Sequence, residues 1–259
     1  MGTSEQQTAA EPLAGRVVVV TGASSGLGAQ MSAALARAGA RVVLAARREE
    51  RLRALARELG GEAIACDIAD AGERRRLIET AVERCGRLDG LVNNAGLSRP
   101  GPASRESMDD VRRMFELNLV APFELCQHAA RAMRDRDGGG RAILNVASIA
   151  AFAALEPMPQ AGYAISKEGL VALTRELASQ WGRHGIRVNA LAPGFFASEM
   201  TDGLIDSEGD GPDWLRDLPL GRIGRPGELD GAAVFLLSEA ASYVTGHVLA
   251  VDGGLLTRS

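Results

Sequence analysis

The chain has 259 residues, 46% of them hydrophobic and 24% charged, and carries a net charge of −4. That balance suits a globular protein, and basic residues scattered along the chain argue against nucleic acid as a partner. No apolar run has membrane-spanning length and no signal-like apolar segment follows Met1, while Cys66, Cys85 and Cys126 show neither metal-ligand spacing nor an even number for a disulfide framework, so a cytoplasmic protein without metal or membrane is expected.

The first stretch, residues 1–12, is polar and aperiodic and is expected to be disordered, leaving 13–259 as one domain. Thereafter short β-branched runs alternate with segments of helical period. The pattern predicts strand Arg16–Val20, helix Gly26–Arg37, strand Arg41–Ala45, helix Glu49–Leu59, strand Glu62–Cys66, helix Gly72–Cys85 and strand Leu88–Val92. A long helix, Ser107–Arg134, ends at Gly138-Gly139-Gly140. Strand Arg141–Val146, helix Tyr163–Trp181, strand Arg187–Leu191, helix Gly227–Leu237 and strand Val248–Val251 complete the series. Continuously apolar strands separated by helices imply a parallel sheet covered on both faces. The fold class predicted is α/β, a single doubly wound, Rossmann-type domain of about seven strands.

Ligands of such sheets bind at the carboxyl ends of the strands, so residues just after each strand are the candidates. After the first comes Thr21-Gly22-Ala23-Ser24-Ser25-Gly26-Leu27-Gly28, a glycine turn that lets backbone approach a pyrophosphate facing a helix N-terminus. A tight turn without ligand reads almost as well from this segment alone. The fourth strand ends in Asn93-Asn94-Ala95-Gly96 and the fifth in Asn145-Val146-Ala147-Ser148. Fifteen residues later, Tyr163 and Lys167 stand at i and i+4, on one face of a helix.

Together with Pro193-Gly194, these motifs resemble the short-chain dehydrogenase/reductase superfamily, over roughly Gly15 to Gly254. The resemblance implies a catalytic set of Asn118, Ser148, Tyr163 and Lys167. Tyr163 matches the general acid/base; Lys167 would favour its phenolate, since free tyrosine titrates near ~10, and would bond the nicotinamide ribose. Ser148 matches the residue that orients the substrate oxygen, and Asn118 the one that holds a water in the proton relay. The cofactor-binding positions implied are Gly22, Ser24, Ser25, Gly26, Leu27, Gly28, Asp67, Ile68, Asn94, Ala95, Gly96, Tyr163, Lys167, Pro193, Gly194, Phe196 and Ser198, with Asp67-Ile68 as the adenine-contacting pair. Two departures stand out: the Ser148–Tyr163 interval is a residue or two long, and Ser198 stands where threonine is common.

The second strand ends Leu44-Ala45-Ala46-Arg47-Arg48, with alanine where an acidic residue would bind the free 2′-hydroxyl of NAD. No carboxylate repels a 2′-phosphate, and Arg47, with Arg48 beside it, can hold one. The expected cofactor is therefore NADP(H).

The resemblance places the substrate among Ser148, Ala150, Gln160, Tyr163, Phe195 and Met200, under a lid over about 195–218 that carries Glu199, Asp202, Asp206, Glu208, Asp210 and Asp213. So acidic a lid opposes an acidic carrier protein. A free, uncharged, fairly apolar ketone or alcohol is expected over a 3-oxoacyl-carrier substrate, for which Gln160 speaks. A non-catalytic NADP(H)-binding regulator would have lost part of the catalytic set. Apolar residues on the two long helices, Phe123, Leu125, Leu170, Leu173 and Leu177, predict with the resemblance a homotetramer.

Overall fold

The computed structural model describes residues 11–134, 140–155, 158–197 and 218–257. Seven parallel strands lie in the order β3-β2-β1-β4-β5-β6-β7. They are β1 (Val17–Thr21), β2 (Arg41–Ala46), β3 (Glu62–Ala65), β4 (Gly90–Asn93), β5 (Arg141–Val146), β6 (Ile186–Pro193) and β7 (Val248–Val251). This is the doubly wound sheet the alternation predicts. The order reverses between β1 and β4, and the crevice above that switch is where ligands of such folds bind.

The unbroken valines of β1 follow from having no solvent face. Val17 and Val19 pack on one side with Leu77, Leu91, Leu125 and Ile143; Val18 and Val20 pack on the other with Met31, Leu35, Leu44 and Leu52. Helices α1 (Gly26–Arg37), α2 (Glu49–Leu59) and α7 (Asp230–Leu237) cover the second side. The first is covered by α3 (Ala71–Cys85), α5 (Ala121–Arg134) and α6 (Ala161–Trp181), with α4 (Met108–Phe115) packed on α6. Local chemistry sets several ends. Gly60 at φ 65° stops α2, and Asp70 opens α3 by accepting from the Glu73 N–H at 2.8 Å.

Four boundaries depart from the periodicity for identifiable reasons. The Asp89 carboxylate takes the Val17 N–H at 2.9 Å, so regular pairing of β4 begins at Gly90 and not at Leu88. Gly227 has φ 90°, which no helix admits, and α7 starts at Asp230. Helix α6 begins two residues before Tyr163, because the Glu106 carboxylate accepts from the Gly162 N–H at 3.0 Å. The single helix expected over Ser107–Arg134 is interrupted by a π turn, Glu116–Val120. Pro122, just beyond, has no N–H to give the Asn118 carbonyl four residues back, so an unbroken α-helix could not be fully bonded there.

Residues 1–10 and most of the expected lid, 198–217, lie outside the described residues. Glu11 and Pro12 lie within them, and the Glu11 carbonyl accepts from the Ala14 N–H at 3.0 Å.

Candidate active site

A cavity of about 490 Å³ runs along the carboxyl edge of the sheet. After β1 it is lined by Gly22, Ser24, Ser25, Gly26, Leu27 and Gly28; after β2 and β3 by Ala46, Arg47, Arg48, Cys66, Asp67, Ile68 and Ala69. Asn94, Ala95 and Gly96 follow β4, and Val146, Ala147 and Ser148 close β5. Tyr163 and Lys167 come from α6, and Pro193, Gly194 and Phe196 from the end of β6. Nineteen positions read from the sequence thus share one cavity, spread over seven elements.

The glycine turn is held by its neighbours. Thr21 Oγ1 accepts from the N–H groups of Asn94 (3.0 Å) and Ala95 (3.1 Å), and Asn94 Nδ2 donates to the Thr21 carbonyl at 3.0 Å. A Cβ at Gly28 would lie 2.5 Å from Asn94 Nδ2, so the helix start can approach the β4 end only because this residue is glycine. The first turn of α1 carries no acidic side chain, and no side chain caps it. Instead Arg48 reaches back over the turn, donating to Ser24 Oγ (3.2 Å) and Ser25 Oγ (2.6 Å). Cations, hydroxyls and a helix N-terminus therefore converge without a carboxylate at Ala46. This donor set fits a phosphorylated dinucleotide.

At the other end, Ser148 opens the short turn Ile149–Ala151 and its Oγ accepts from the Ala150 N–H at 3.1 Å. Burial pushes the Tyr163 hydroxyl above the ordinary tyrosine range, while a hydrogen bond with Ser148 draws it back. Lys167 Nζ lies 5.7 Å from the Tyr163 ring centroid and donates to the Val146 carbonyl at 2.7 Å. Burial lowers its ammonium to about 8. Of the two influences on the Tyr163 hydroxyl, burial is the larger.

Asn118 is fully buried and outside the cavity lining. Its Oδ1 accepts from the Leu97 N–H (2.8 Å), and its Nδ2 donates to the Leu97 carbonyl (2.8 Å) and Ser166 Oγ (2.9 Å). Ser166 in turn donates to the Tyr163 carbonyl at 2.7 Å. The side chain is thus a brace between the segment after β4 and the helix carrying Tyr163. Any water at this position would have to be held by the main-chain carbonyl.

Of the expected substrate residues, Ala150 packs with Met114 beside Tyr163, and Gln160 Oε1 accepts from Ser98 Oγ at 3.4 Å. Ala150, Gln160 and Phe195 all lie off the lining, whereas Ser198 and Met200 fall outside the described residues. Arg113 and Leu117 line the cavity but carry no sequence signal apart from helical spacing with each other. Among the described residues no group of three His, Cys, Asp or Glu could hold a metal, and no helix is long and apolar enough to cross a membrane.

Residues 22–256 match the family described as enoyl-(acyl carrier protein) reductase. The chain is 39% identical to D-threitol dehydrogenase of Mycolicibacterium smegmatis over 248 residues, 93% of each chain. It is 41% identical to gluconate 5-dehydrogenase of Gluconobacter oxydans, over 94% of this chain and 95% of that one. The chain belongs to the short-chain dehydrogenase/reductase superfamily.

Among solved structures of this superfamily, a gluconate 5-dehydrogenase from Burkholderia cenocepacia in complex with NADP and tartrate superimposes with a TM-score of 0.88. It shares 36% identity, over 95% of this chain and 96% of that one. As a short-chain dehydrogenase/reductase, the chain is a nicotinamide-dependent oxidoreductase.

Proposed function

We propose that the protein transfers a hydride between NADP(H) and a ketone or secondary alcohol, with Tyr163 as the general acid/base. The observation that carries this reading is the meeting of Ser148, Tyr163 and Lys167 in one cavity with the glycine turn and the Arg47-Arg48 pair. The cofactor supplies the hydride. Gly22 to Gly28, with Arg48 docked over them, would hold its diphosphate at the start of α1, and Arg47 its 2′-phosphate, with no acid at Ala46 to repel it. The NADP complex of the Burkholderia relative supports the same choice.

Around the reacting carbon this chain's residues move one proton. In reduction, Tyr163 Oη gives its proton to the carbonyl oxygen while Ser148 Oγ donates to that oxygen and stabilises its developing charge. A buried, protonated tyrosine is the correct starting form for this direction. Lys167 then restores the proton, and an ammonium near 8 is well matched to the transfer at neutral pH. The Asn118 carbonyl, deprived of a donor by Pro122, is the place for a relay water.

The substrate is a free small molecule. Relatives named for threitol and gluconate support this. They point to a hydroxylated substrate in place of the apolar one expected from the lid. The acyl-carrier description of the matching family keeps a 3-oxoacyl-carrier substrate as a second reading. Catalytic efficiency should be compared on neutral polyols and their ketoses, sugar acids and an acetoacetyl-carrier conjugate, with both cofactors. A strong, salt-sensitive preference for the conjugate would reverse the choice, and no turnover of either cofactor with any substrate would remove the oxidoreductase assignment.

Assembly as a homotetramer is part of the same proposal, and of the residues expected for it only Phe123 is exposed. Leu125, Leu170 and Leu177 are buried within the chain and Leu173 is partly so, because the sheet consumes them. The exposed large apolar residues on the two long helical stretches, among the described residues, are Met108 (60%), Val120 (41%), Phe123 (40%) and Ile165 (55%).

A further inference from the structure

Arg74 is a buried cation with no part in the chemistry above. It lies in the first turn of α3, its side chain is 3% exposed, and its guanidinium contacts three elements. Nη1 donates to the Ile68 carbonyl at 2.6 Å and to Glu116 Oε1 at 2.8 Å, and Nε donates to Glu124 Oε2 at 2.7 Å. Ile68 lines the cavity just after β3. Glu116 opens the π turn, and its neighbour Leu117 lines the cavity from the facing side. Glu124 anchors the group to α5.

The energetics argue that this arrangement serves geometry. Two charges removed from water gain little net stability, and apolar residues of the same volume often stabilise a core as well or better. An apolar side chain, however, cannot hold a main-chain carbonyl at a fixed distance from a carboxylate. The planar, multidentate guanidinium can. Ile68 and Leu117 both line the cavity, and Ile68 follows β3, four strands of the sheet away from Ser148 at the end of β5. A slot between two apolar side chains suits a flat heteroaromatic ring.

We propose that Arg74 is a positioning residue for nucleotide recognition: by tying the Ile68 carbonyl to Glu116 it sets the width of the slot that takes the adenine ring. The inference rests on the nucleotide-binding reading above and assigns the affinity of that end to a residue outside the cavity. Arg74→Met keeps length and removes all three bonds; Arg74→Lys keeps the charge but cannot make all three.

The measurements are binding of NADPH by fluorescence, binding of ADP-ribose and of reduced nicotinamide mononucleotide by calorimetry, and kcat at saturating cofactor. Arg74→Met should bind NADPH and ADP-ribose about tenfold more weakly, the scale of a lost charged hydrogen bond. Arg74→Lys should fall between it and the wild type, with mononucleotide binding and kcat unchanged in both. If Arg74→Met does not fold, the Glu116→Gln, Glu124→Gln double variant carries the test, with a smaller loss in the same direction. Unchanged ADP-ribose affinity in a folded but less heat-stable variant would overturn the inference, as would an equal loss for the mononucleotide. Wild-type protein that binds neither NADPH nor ADP-ribose would remove the nucleotide reading itself, and this inference with it.

Discussion

Asn118 Nδ2 and Ser166 Oγ lie 2.9 Å apart in the protein interior, and this bond joins the π turn to the helix that carries Tyr163. Because Asn118 also holds both main-chain groups of Leu97, Asn118→Ala should act through position as well as through any water. A buried bonded group left without partners costs about 1–3 kcal/mol each time. The expected outcome is a lower Tm together with a fall in kcat. Asn118→Asp, isosteric but unable to donate to Ser166 or Leu97 when ionised, should not restore activity. Wild-type kcat in Asn118→Ala would show that the brace has no bearing on Tyr163.

Tyr163→Phe removes one hydroxyl from a side chain that is 9% exposed, so folding and NADPH binding should survive. General acid–base groups contribute roughly 10²–10⁴-fold in rate. Turnover should drop within that range while fluorescence titration gives wild-type cofactor affinity. Retained turnover would remove Tyr163 from the chemistry.

Arg47 and Arg48 should differ in effect. Arg48 is docked on Ser24 and Ser25, over the glycine turn that serves either cofactor, whereas Arg47 is exposed at the β2 end. Arg47→Ala should raise KM for NADPH about tenfold, the value of one charge-assisted hydrogen bond at an exposed site, with little change for NADH. Arg48→Ala should raise both. Equal efficiency of the unsubstituted enzyme with the two cofactors would contradict the NADP(H) reading.

Lys167 should leave a signature in stability against pH. Its folded value of about 8 lies below the ~10.4 of an unfolded lysine, so between these values the unfolded chain holds more protons. The buried ammonium therefore costs stability near neutrality, and the cost fades as pH rises from 8 to 10. Cys66 and Cys126, both pushed up to about 12 by burial, have the opposite slope above about 9. The difference between wild type and Lys167→Met in denaturant melts isolates the lysine, and it should move in favour of wild type across this window. A flat difference would mean that Lys167 is not desolvated.

For assembly, Phe123→Glu would place a charge at an exposed apolar position of α5. Light scattering should report a smaller species than for wild type, with the fold intact by circular dichroism. A wild-type monomer at micromolar concentration would refute the tetramer.

The parallel sheet, the glycine turn and the Tyr163–Lys167 pairing were legible in the sequence because each rests on local constraints, whereas Ser148 was named by resemblance. Val17 to Val20 can be uniformly apolar only when both faces are covered, and a helix places i and i+4 together whatever surrounds it. Gly22, Gly26 and Gly28 declare a close approach of backbone by lacking a side chain. What the tertiary structure alone decided involves partners far apart in the chain. Asp89 replaces a ladder bond of β4, Glu106 moves the start of α6 ahead of Tyr163, and Asn118 braces Leu97 and Ser166. Arg74, the first of three consecutive arginines, is the buried one, because Glu116 and Glu124 arrive from 42 and 50 residues away. Periodicity shows which face of an element is apolar, but a charged side chain goes inside only where distant charges and a carbonyl meet it, and that meeting exists only in the fold.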